Sequence, residues 1–419
     1  MSLIVVFVTL VLLYSLVSAR LERTVLTAPI VFTAAGWLTL VALPESRGFK
    51  PDMTVFLQVA EIGLVLLLFT DACRTDLDVL RSIRNVPVRL LSAGLLLTLV
   101  LGGLFALLLF PELSLAEAGI LSAILAPTDA GLGQVIVASE KVPLRVREAL
   151  NVEAGLNDGL AVPFLLCFMA KASPDAGGGH VGLSPFIVQQ LGYGALVGAG
   201  IGLLGGWLMG LADRRQWMTP AWRQLGVVAL PLLCLLVSEA VGASMFIAAF
   251  VAGLAVQVRF RDAARHSGEV AEDWGQLLNL SVFFLFGLLV ARAWPELGWR
   301  HALYAALSLT VVRMLPVAVA LIGTHSSRAT VLFMGWFGPR GLASIVLGLV
   351  FIEHGPTVAG LPSMRLAVLL TVLLSIVAHG LSARPGVLLY ARSVARLPPG
   401  APELAPRATA RPAPPPPAG

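Results

Sequence analysis

Long apolar segments separated by short polar ones recur along the whole chain. A window of about 20 apolar residues can cross a bilayer, and the pattern predicts about 13 such spans. They lie near residues 2–19, 25–43, 54–71, 87–110, 114–138, 148–170, 184–211, 224–239, 242–258, 275–291, 299–322, 329–352 and 363–383. Only Glu239-Ala240-Val241 separates the eighth from the ninth, so 12 spans are the alternative. The segments lack the alternation of barrel strands, which favours an all-α integral membrane protein.

The composition supports a membrane protein and argues against other classes. Of 419 residues, 57% are hydrophobic and 13% are charged, with a mean hydropathy of +0.88, whereas soluble chains have roughly 25% charged residues. No nucleotide-binding loop occurs, so we expect neither an enzyme nor an ATP-driven pump, and no bound nucleotide, nucleic acid or cofactor. Cys73, Cys167 and Cys234 are too scattered for a disulfide framework or a metal site.

The basic residues predict how the chain is oriented in the membrane. Most of the 29 Lys and Arg fall in alternate loops and in the C-terminal segment. By the positive-inside rule, the N-terminus lies outside and the C-terminus in the cytoplasm. Residues 397–419 are rich in Pro and Ala and cannot bury a core. We therefore divide the chain into a membrane domain over 1–396 and a disordered cytoplasmic tail over 397–419.

Helix-breaking residues lie in the middle of the fifth and twelfth predicted spans. The fifth reads LSAILAPTDAGLGQVIV, with Pro127 before Thr128 and Asp129, and the twelfth reads FMGWFGPRGLASIVLGLV, with Pro339 before Arg340. Proline lacks the N–H that a helix needs, so each span should unwind there. Broken helices at matching positions of two halves indicate inverted repeats and a transporter's binding site, here pairing spans 1–6 with 8–13. Asp129 and Arg340 would compensate the charged helix ends at the crossing.

The sixth predicted span, ALNVEAGLNDGLAVPFLLCFM, contains Glu153, Asn157 and Asp158. A carboxylate at bilayer depth costs roughly 2.5–3.5 kcal/mol on insertion scales, so such residues are kept for what they bind. Their oxygens suit a small hard cation or a proton. Glu153 and Asn157 share one helical face by their i,i+4 spacing. Together with the broken spans, these residues predict an ion-coupled transporter.

Six motifs in order resemble a known family. They are LLLFTDACRTDLDVLR, LAPTDA, NVEAGLNDGLAVPFLL, GASMFIAAFVAGLAV, TVVRMLP and WFGPRGLASIVL, spread from residue 61 to 349. The chain resembles bacterial Na⁺/H⁺ antiporters of the NhaP type, in the monovalent cation:proton antiporter superfamily that includes the animal sodium/proton exchangers. The resemblance implies a bacterial inner-membrane homodimer, surrounded by lipid. It also implies a six-helix core, near spans 3–6 and 10–13, that moves against a dimerisation domain.

The resemblance also implies roles for particular residues. Asp158 would hold a proton or a monovalent cation in turn, Na⁺ or Li⁺ first and K⁺ as the alternative. Thr128 would lend oxygens to the transported Na⁺. The neutral Asn157 implies electroneutral 1:1 exchange, and Glu153 would hold Asn157 in place. The family pairs this glutamate with an arginine, for which Arg313 in TVVRMLP is the favoured match and Arg340 the alternative.

One position departs from the family's pattern, and two acids have open roles. Many relatives have Ser directly after the Glu, where this chain has Ala154. Since residue 154 is one turn from Asp158, the missing hydroxyl puts the coordination number and the choice between Na⁺ and K⁺ in doubt. Asp71 would either add an oxygen to the site or be a solvated acid at the end of its span. Glu61 would take part either in a cytoplasmic funnel or relay for the ions or in a buried ion pair.

Two other functions compete with antiport. The first is a sodium-coupled solute symporter on a similar inverted-repeat scaffold, which would not require the Glu-x-x-x-Asn-Asp set. The second is a non-transporting sensor or channel. A sensor usually carries a folded output domain, whereas a Pro-rich tail follows the last predicted span. The sequence therefore favours an antiporter.

Overall fold

The computed structural model describes residues 3–21, 24–42, 52–75, 85–173, 188–398 and 400–404. Within these ranges the chain forms helices joined by turns, with no strand. The predicted all-α fold is therefore confirmed. The basic loop near residues 76–84 and most of the predicted tail, 405–419, lie outside the described residues.

The helices follow the predicted spans in order, and each takes the number of its span. The continuous helices are α1 (Leu3–Leu21), α2 (Ala28–Ala42), α3 (Met53–Arg74), α4 (Asn85–Leu109), α6 (Leu144–Ala172), α7 (Val188–Arg214), α8 (Pro220–Val241), α10 (Glu269–Ala293) and α13 (Leu361–Val394). Helix α9 (Met245–Ser267) is kinked at Phe260, whose φ of −139° and ψ of 38° are not helical. The interrupted helices are α5a (Leu115–Ile124) with α5b (Ala130–Val137), α11a (Trp299–Leu309) with α11b (Val311–Ala320), and α12a (Arg328–Trp336) with α12b (Leu342–His354). Nine helices among the described residues are long and apolar enough to cross a membrane.

The eighth and ninth spans are separate helices. α8 ends at Val241, and Gly242 follows with a left-handed φ of +63°. Glycine adopts this conformation without the steric cost that a side chain would add, which makes it a common helix terminator. α9 begins three residues later, at Met245. The turn favours the higher of the two predicted span counts.

Both predicted breaks occur, and a third one was not predicted. α5 is interrupted between Ile124 and Ala130, and α12 between Trp336 and Leu342. α11 is also interrupted, at Thr310, whose φ of −109° and ψ of −85° are not helical. No proline or glycine lies within five residues of Thr310, so sequence alone gave no signal for this break.

The helices pack in two groups. The crossing-helix group contains α4–α6 and α11–α13, and the flanking group contains α1–α3 and α7–α10. We expected spans 3 and 10 to belong with the core, but α3 packs mainly on α9 and α10, and α10 mainly on α2 and α3. A close approach explains the contact between α3 and α9. A Cβ on Gly253 of α9 would overlap the carbonyl of Phe69 in α3, so only glycine lets the two backbones come so near.

Part of the segment expected to be a disordered tail packs on the crossing-helix group. Residues Pro402–Leu404 form a helical turn in which Glu403 is buried. The Glu403 carboxylate accepts hydrogen bonds from the Ser327 N–H and the Thr330 hydroxyl, both at 2.7 Å. Ser327 is the N-cap of α12a, where the helix dipole favours a negative charge. A carboxylate and a helix end, rather than an apolar core, therefore hold this segment.

We predict that Glu403→Ala releases this turn. Burial opposes ionisation of Glu403, but the bonds from Ser327 and Thr330 hold the pKa of this carboxyl below its usual value. The docked turn is therefore favoured above the usual pKa of a glutamate and is lost as pH falls through the lowered value. In Glu403→Ala, amide hydrogen exchange of Ser327 should rise about tenfold or more, as for the loss of a hydrogen bond to a charged group. Glu140→Ala, at an exposed acid, is the control, and an unchanged rate in Glu403→Ala would contradict the prediction.

Candidate functional site

The two unwound segments contact each other directly. The Asp129 N–H donates to the Pro339 carbonyl at 2.8 Å. The Arg340 guanidinium donates through Nη1 to the carbonyls of Ala126 and Pro127, at 2.8 and 2.9 Å. These carbonyls follow the C-terminal end of α5a, where partial negative charge accumulates. Arg340, the basic residue in the break of α12, thus stabilises the C-terminal end of α5a.

Asp129 has the complementary role at two N-terminal helix ends. Its Oδ1 accepts the N–H of Leu132 in α5b at 2.9 Å, and its Oδ2 accepts the N–H of Leu342 in α12b. Both N-terminal ends carry partial positive charge. The side-chain hydrogen bonds described for Asp129 and Arg340 go to helix ends and not to each other. The expected compensation of helix ends is therefore present in the geometry, without a direct ion pair.

Glu153 forms a buried ion pair with Arg313. Both are at most 5% exposed, and Arg313 Nη2 donates to Glu153 Oε2 at 3.0 Å while Nη1 contacts Oε1. Arg313 Nη2 also donates to the Met334 carbonyl at 3.2 Å. Of the two arginines considered, Arg313 makes this contact, whereas Arg340 lies at the crossing. The pair ties α6 to α11b and α12a.

Asn157 and Thr128 contact each other beside the break in α5. Asn157 Nδ2 donates to Thr128 Oγ1 at 2.7 Å. The buried Oδ1 atoms of Asn157 and Asp158 have no hydrogen-bond partner among the described residues. A buried polar atom without a partner costs free energy, which a bound proton or cation would recover. The sixth span therefore presents two buried oxygens that the described residues leave without partners.

A cavity of about 110 Å³ reaches Asp158 from between the two helix groups. Asp71, Asp129 and Asp158 all line it, so three predicted acids come together. Thr128 and Asn157 are not among its lining residues, and Asn157 instead borders a smaller space of about 10 Å³ beside Glu153 and Arg313. Adjacent helical residues point about 100° apart, which explains why Asn157 and Asp158 face different spaces. Thr128 and Asp158 therefore line no common cavity among those described here, and their shared cation site stays a prediction.

Glu61 lies apart from this cavity. It is half-buried on α3, and the charge that acts on it most is Glu239 of α8. The lining of the cavity does not include it. A funnel or relay role for Glu61 has no support in the geometry of this site.

Residues of α10 complete the cavity, and our reading of the sequence missed them. Asn279, Gln276 and Glu272 line it, and the buried Asn279 Oδ1 has no hydrogen-bond partner among the described residues. Glu272 pairs with Arg74 at the end of α3, with Nη1 donating to Oε1 at 2.7 Å. A single asparagine within the apolar run LLNLSVFFLF was the available signal. An uncharged polar residue inside a membrane span marks a candidate site in the same way as a charged one.

Comparison with known proteins identifies the family. Crossed broken helices with unsatisfied oxygens at their junction are typical of ion-coupled secondary transporters. A profile described as the transmembrane sodium/hydrogen exchanger matches residues 6–388. The chain therefore belongs to the sodium/hydrogen exchanger family, and the resemblance inferred from its motifs is confirmed.

Individual relatives agree with this assignment. A Na⁺/H⁺ antiporter of Schizosaccharomyces pombe is 27% identical over 284 residues, covering 64% of this chain and 60% of that protein. The K⁺/H⁺ antiporter NhaP of Alkalimonas amylolytica is 26% identical over 380 residues, covering 88% of this chain and 63% of that protein. The chain thus spans less than two thirds of the length of either relative. The sodium proton antiporter MjNhaP1 of Methanocaldococcus jannaschii has a structure with a TM-score of 0.75 and 19% identity, over 92% of this chain and 97% of that one. This likeness shows a shared fold.

We predict that removing one partner of the Glu153–Arg313 pair strongly destabilises the protein. Glu153→Gln leaves a buried guanidinium without its counter-charge, which should cost about 3–5 kcal/mol. The double variant Glu153→Gln/Arg313→Met should lose less than the sum of the single variants. Thermal unfolding in detergent measures both. The exposed pair Glu296–Arg365, at 3.1 Å, is the matched control and should contribute at most about 1 kcal/mol. Additive losses at the buried pair would contradict the prediction.

Proposed function

We propose that this protein exchanges a monovalent cation for a proton across the membrane, one for one, with both ions competing for Asp158. Na⁺ and Li⁺ are the first candidates for the cation, and K⁺ is the alternative. Relatives named as Na⁺/H⁺ and as K⁺/H⁺ antiporters support this range. The observation that carries the proposal is a buried carboxylate oxygen of Asp158 that has no hydrogen-bond partner among the described residues and lies on a cavity between two helix groups.

Competition follows from the environment of Asp158. A bare carboxylate is costly in a buried site, and either a proton or a cation removes that cost. Binding of one removes the site for the other. The protein can then change conformation with either ion bound, and the ionised, unoccupied site is the disfavoured form. This coupling needs no further energy source than the gradients of the two ions.

The charges around Asp158 support a single exchanging carboxylate. Arg313 neutralises Glu153, and two helix N-termini stabilise Asp129. Asn157 carries no charge. Asp71 shares the cavity but is half-buried at the end of α3, so we assign to it an additional oxygen rather than a second exchanging proton. One proton exchanged for one cation then leaves the net charge of the site unchanged.

Thr128 and Asn157 take a supporting role in this proposal. Their hydrogen bond joins α6 to the unwound segment of α5. We infer that it keeps that segment beside Asp158. Direct oxygens for the cation then come from the lining of the cavity, namely Asp158, Asp71 and Asn279. The contribution of Asn279 would partly replace the hydroxyl that Ala154 lacks.

Alternating access would come from motion of one helix group against the other. The crossing-helix group would carry Asp158, and the flanking group would stay fixed in the bacterial inner membrane, with the N-terminus outside. The cavity beside Asp71 and Arg74 would then open to the cytoplasm. We also infer a homodimer formed by the flanking group. Its α1 has no buried residue within the chain and is covered by lipid or by a second copy.

We predict that Asp158→Asn abolishes exchange while the protein still folds. The variant keeps the size of the side chain but can neither bind a proton nor balance a cation. Proton flux in proteoliposomes, driven by Na⁺, Li⁺ and K⁺ in turn, should fall to the background of empty vesicles. Asp273→Asn, at an exposed acid of α10, should retain wild-type flux. Cation-dependent flux in purified Asp158→Asn would overturn the assignment.

We also predict that exchange is electroneutral. In proteoliposomes, proton–cation exchange should generate no membrane potential, and an imposed potential should not drive it. For a carrier that moves one net charge per cycle, 100 mV would bias exchange by about 2.3 kcal/mol. Voltage-sensitive dyes and K⁺–valinomycin clamps, with Na⁺ as the exchanged cation, measure both effects. A potential that builds during exchange would mean that a second acid, Glu153 or Asp71, titrates together with Asp158.

A further inference from the structure

A buried polar pair on α13 spans the unwound segment of α12. Ser375 and His379 lie one helical turn apart and are both at most 1% exposed. Neither lines the cavity beside Asp158. Their polar atoms face the backbone of α12 between Trp336, where α12a ends, and Arg340. We call Ser375 and His379 the clamp pair.

Three contacts connect the clamp pair to the break. The Arg340 N–H donates to Ser375 Oγ at 2.6 Å. Ser375 Oγ lies 3.1 Å from His379 Nδ1. His379 Nε2 lies 2.9 Å from the carbonyl of Trp336. The two ends of the unwound segment are thereby joined through two side chains of one neighbouring helix.

The direction of each hydrogen bond depends on which ring nitrogen of His379 carries the proton, because Nδ1 lies 3.0 Å from the Ser375 carbonyl as well as 3.1 Å from the Ser375 hydroxyl. The clamp pair requires the proton on Nε2, from which His379 donates to the Trp336 carbonyl. Neutral His379 then has a lone pair on Nδ1, which accepts the hydroxyl proton of Ser375. The Ser375 oxygen in turn accepts the Arg340 N–H. A continuous chain of donors and acceptors results, and each of these polar atoms has a partner.

The clamp pair matters because unwound backbone at membrane depth must find its partners inside the protein. Through Pro339 and the Arg340 side chain, the same segment contacts the break in α5. That break contains Asp129, which lines the cavity together with Asp158. A path of hydrogen bonds therefore leads from α13, through both breaks, to the cavity.

We propose that Ser375 and His379 are positioning residues for cation binding. This inference rests on the proposed exchange. By holding the unwound segment of α12 at both ends, the clamp pair fixes the geometry of the α5 break and hence the oxygens around Asp158. Without the clamp pair, the segment 337–341 shifts or rewinds, and the transported cation binds more weakly. Because neither side chain touches the ion, the chemical competition at Asp158 persists.

Four single variants and the double variant Ser375→Ala/His379→Ala test this proposal in full-length protein. Ser375→Ala and His379→Ala break the chain at different places. His379→Gln retains an amide N–H that can reach the Trp336 carbonyl and an oxygen beside Ser375. Ser382→Ala is the matched control, because Ser382 also lies on α13 and accepts from Trp336, but only from its indole N–H at 2.9 Å.

The first measurement is amide hydrogen exchange of residues 336–342 in purified protein without a cation gradient. Ser375→Ala and His379→Ala should each raise the exchange rate of this segment about tenfold, as for one lost buried hydrogen bond. The double variant should exceed neither single variant by much, because both belong to one chain. His379→Gln should stay within about twofold of wild type, and Ser382→Ala should be unchanged.

The second measurement is Na⁺-dependent proton flux in proteoliposomes, normalised to folded protein. The KM for Na⁺ should rise about fivefold to tenfold in Ser375→Ala and His379→Ala, with the maximal rate within about twofold of wild type. His379→Gln should restore the KM. If His379→Ala fails to fold, Ser375→Ala and His379→Gln still decide the question.

The two measurements separate the possible failures. Faster amide exchange with an unchanged KM would reduce the clamp pair to a structural role and overturn the proposal. Unchanged amide exchange would overturn it as well, as would an equal rise of KM in Ser382→Ala. A wild type without cation–proton exchange would instead refute the proposed function, while amide exchange would still report whether the clamp pair holds the segment.

Discussion

The structure depends on one constraint, which is that backbone unwound inside a membrane must be satisfied by the protein itself. Two breaks that cross each other meet this constraint together. Arg340 bonds the carbonyls after α5a, while Asp129 bonds the N-terminal ends of α5b and α12b. A base and an acid thus replace the hydrogen bonds that a continuous helix would make. Because each residue bonds backbone groups of the other span, the two breaks stabilise each other.

The same constraint distinguishes the buried acids by the partners that the fold gives their carboxylates. The Asp129 carboxylate accepts hydrogen bonds at two helix ends, and Glu153 pairs with Arg313. Within the described part of the chain, Asp158 Oδ1 has no such partner, although Asp158 lies on the following turn of the helix that carries Glu153. Of these three acids, Asp158 is therefore the one with a carboxylate oxygen that the described residues leave without a partner. We regard this difference as the physical origin of the proposed exchange.

The sequence predicted the elements better than their arrangement. Pro127 and Pro339 located both breaks, and the polar residues of the sixth span located the site, because prolines and charges inside apolar segments have few alternatives. The break at Thr310 had no such marker. Hydropathy also could not assign α3 and α10 to the flanking group, because lipid-facing and protein-facing apolar residues look alike. The sequence analysis also did not single out Asn279 or the clamp pair. Each is polar in an apolar run, but what it contacts depends on packing.

The cavity takes residues from both helix groups, which has a consequence for transport. Asp158 and Asp129 belong to the crossing-helix group, whereas Asp71 and Asn279 belong to the flanking group. If the groups move relative to each other, the oxygens from the flanking group separate from Asp158, while the contacts between the two breaks move as one unit. The cation would then have more ligands on one side of the membrane than on the other. A proton on Asp158 needs none of those ligands. The affinity for the cation should therefore depend on the conformation more than the affinity for the proton does.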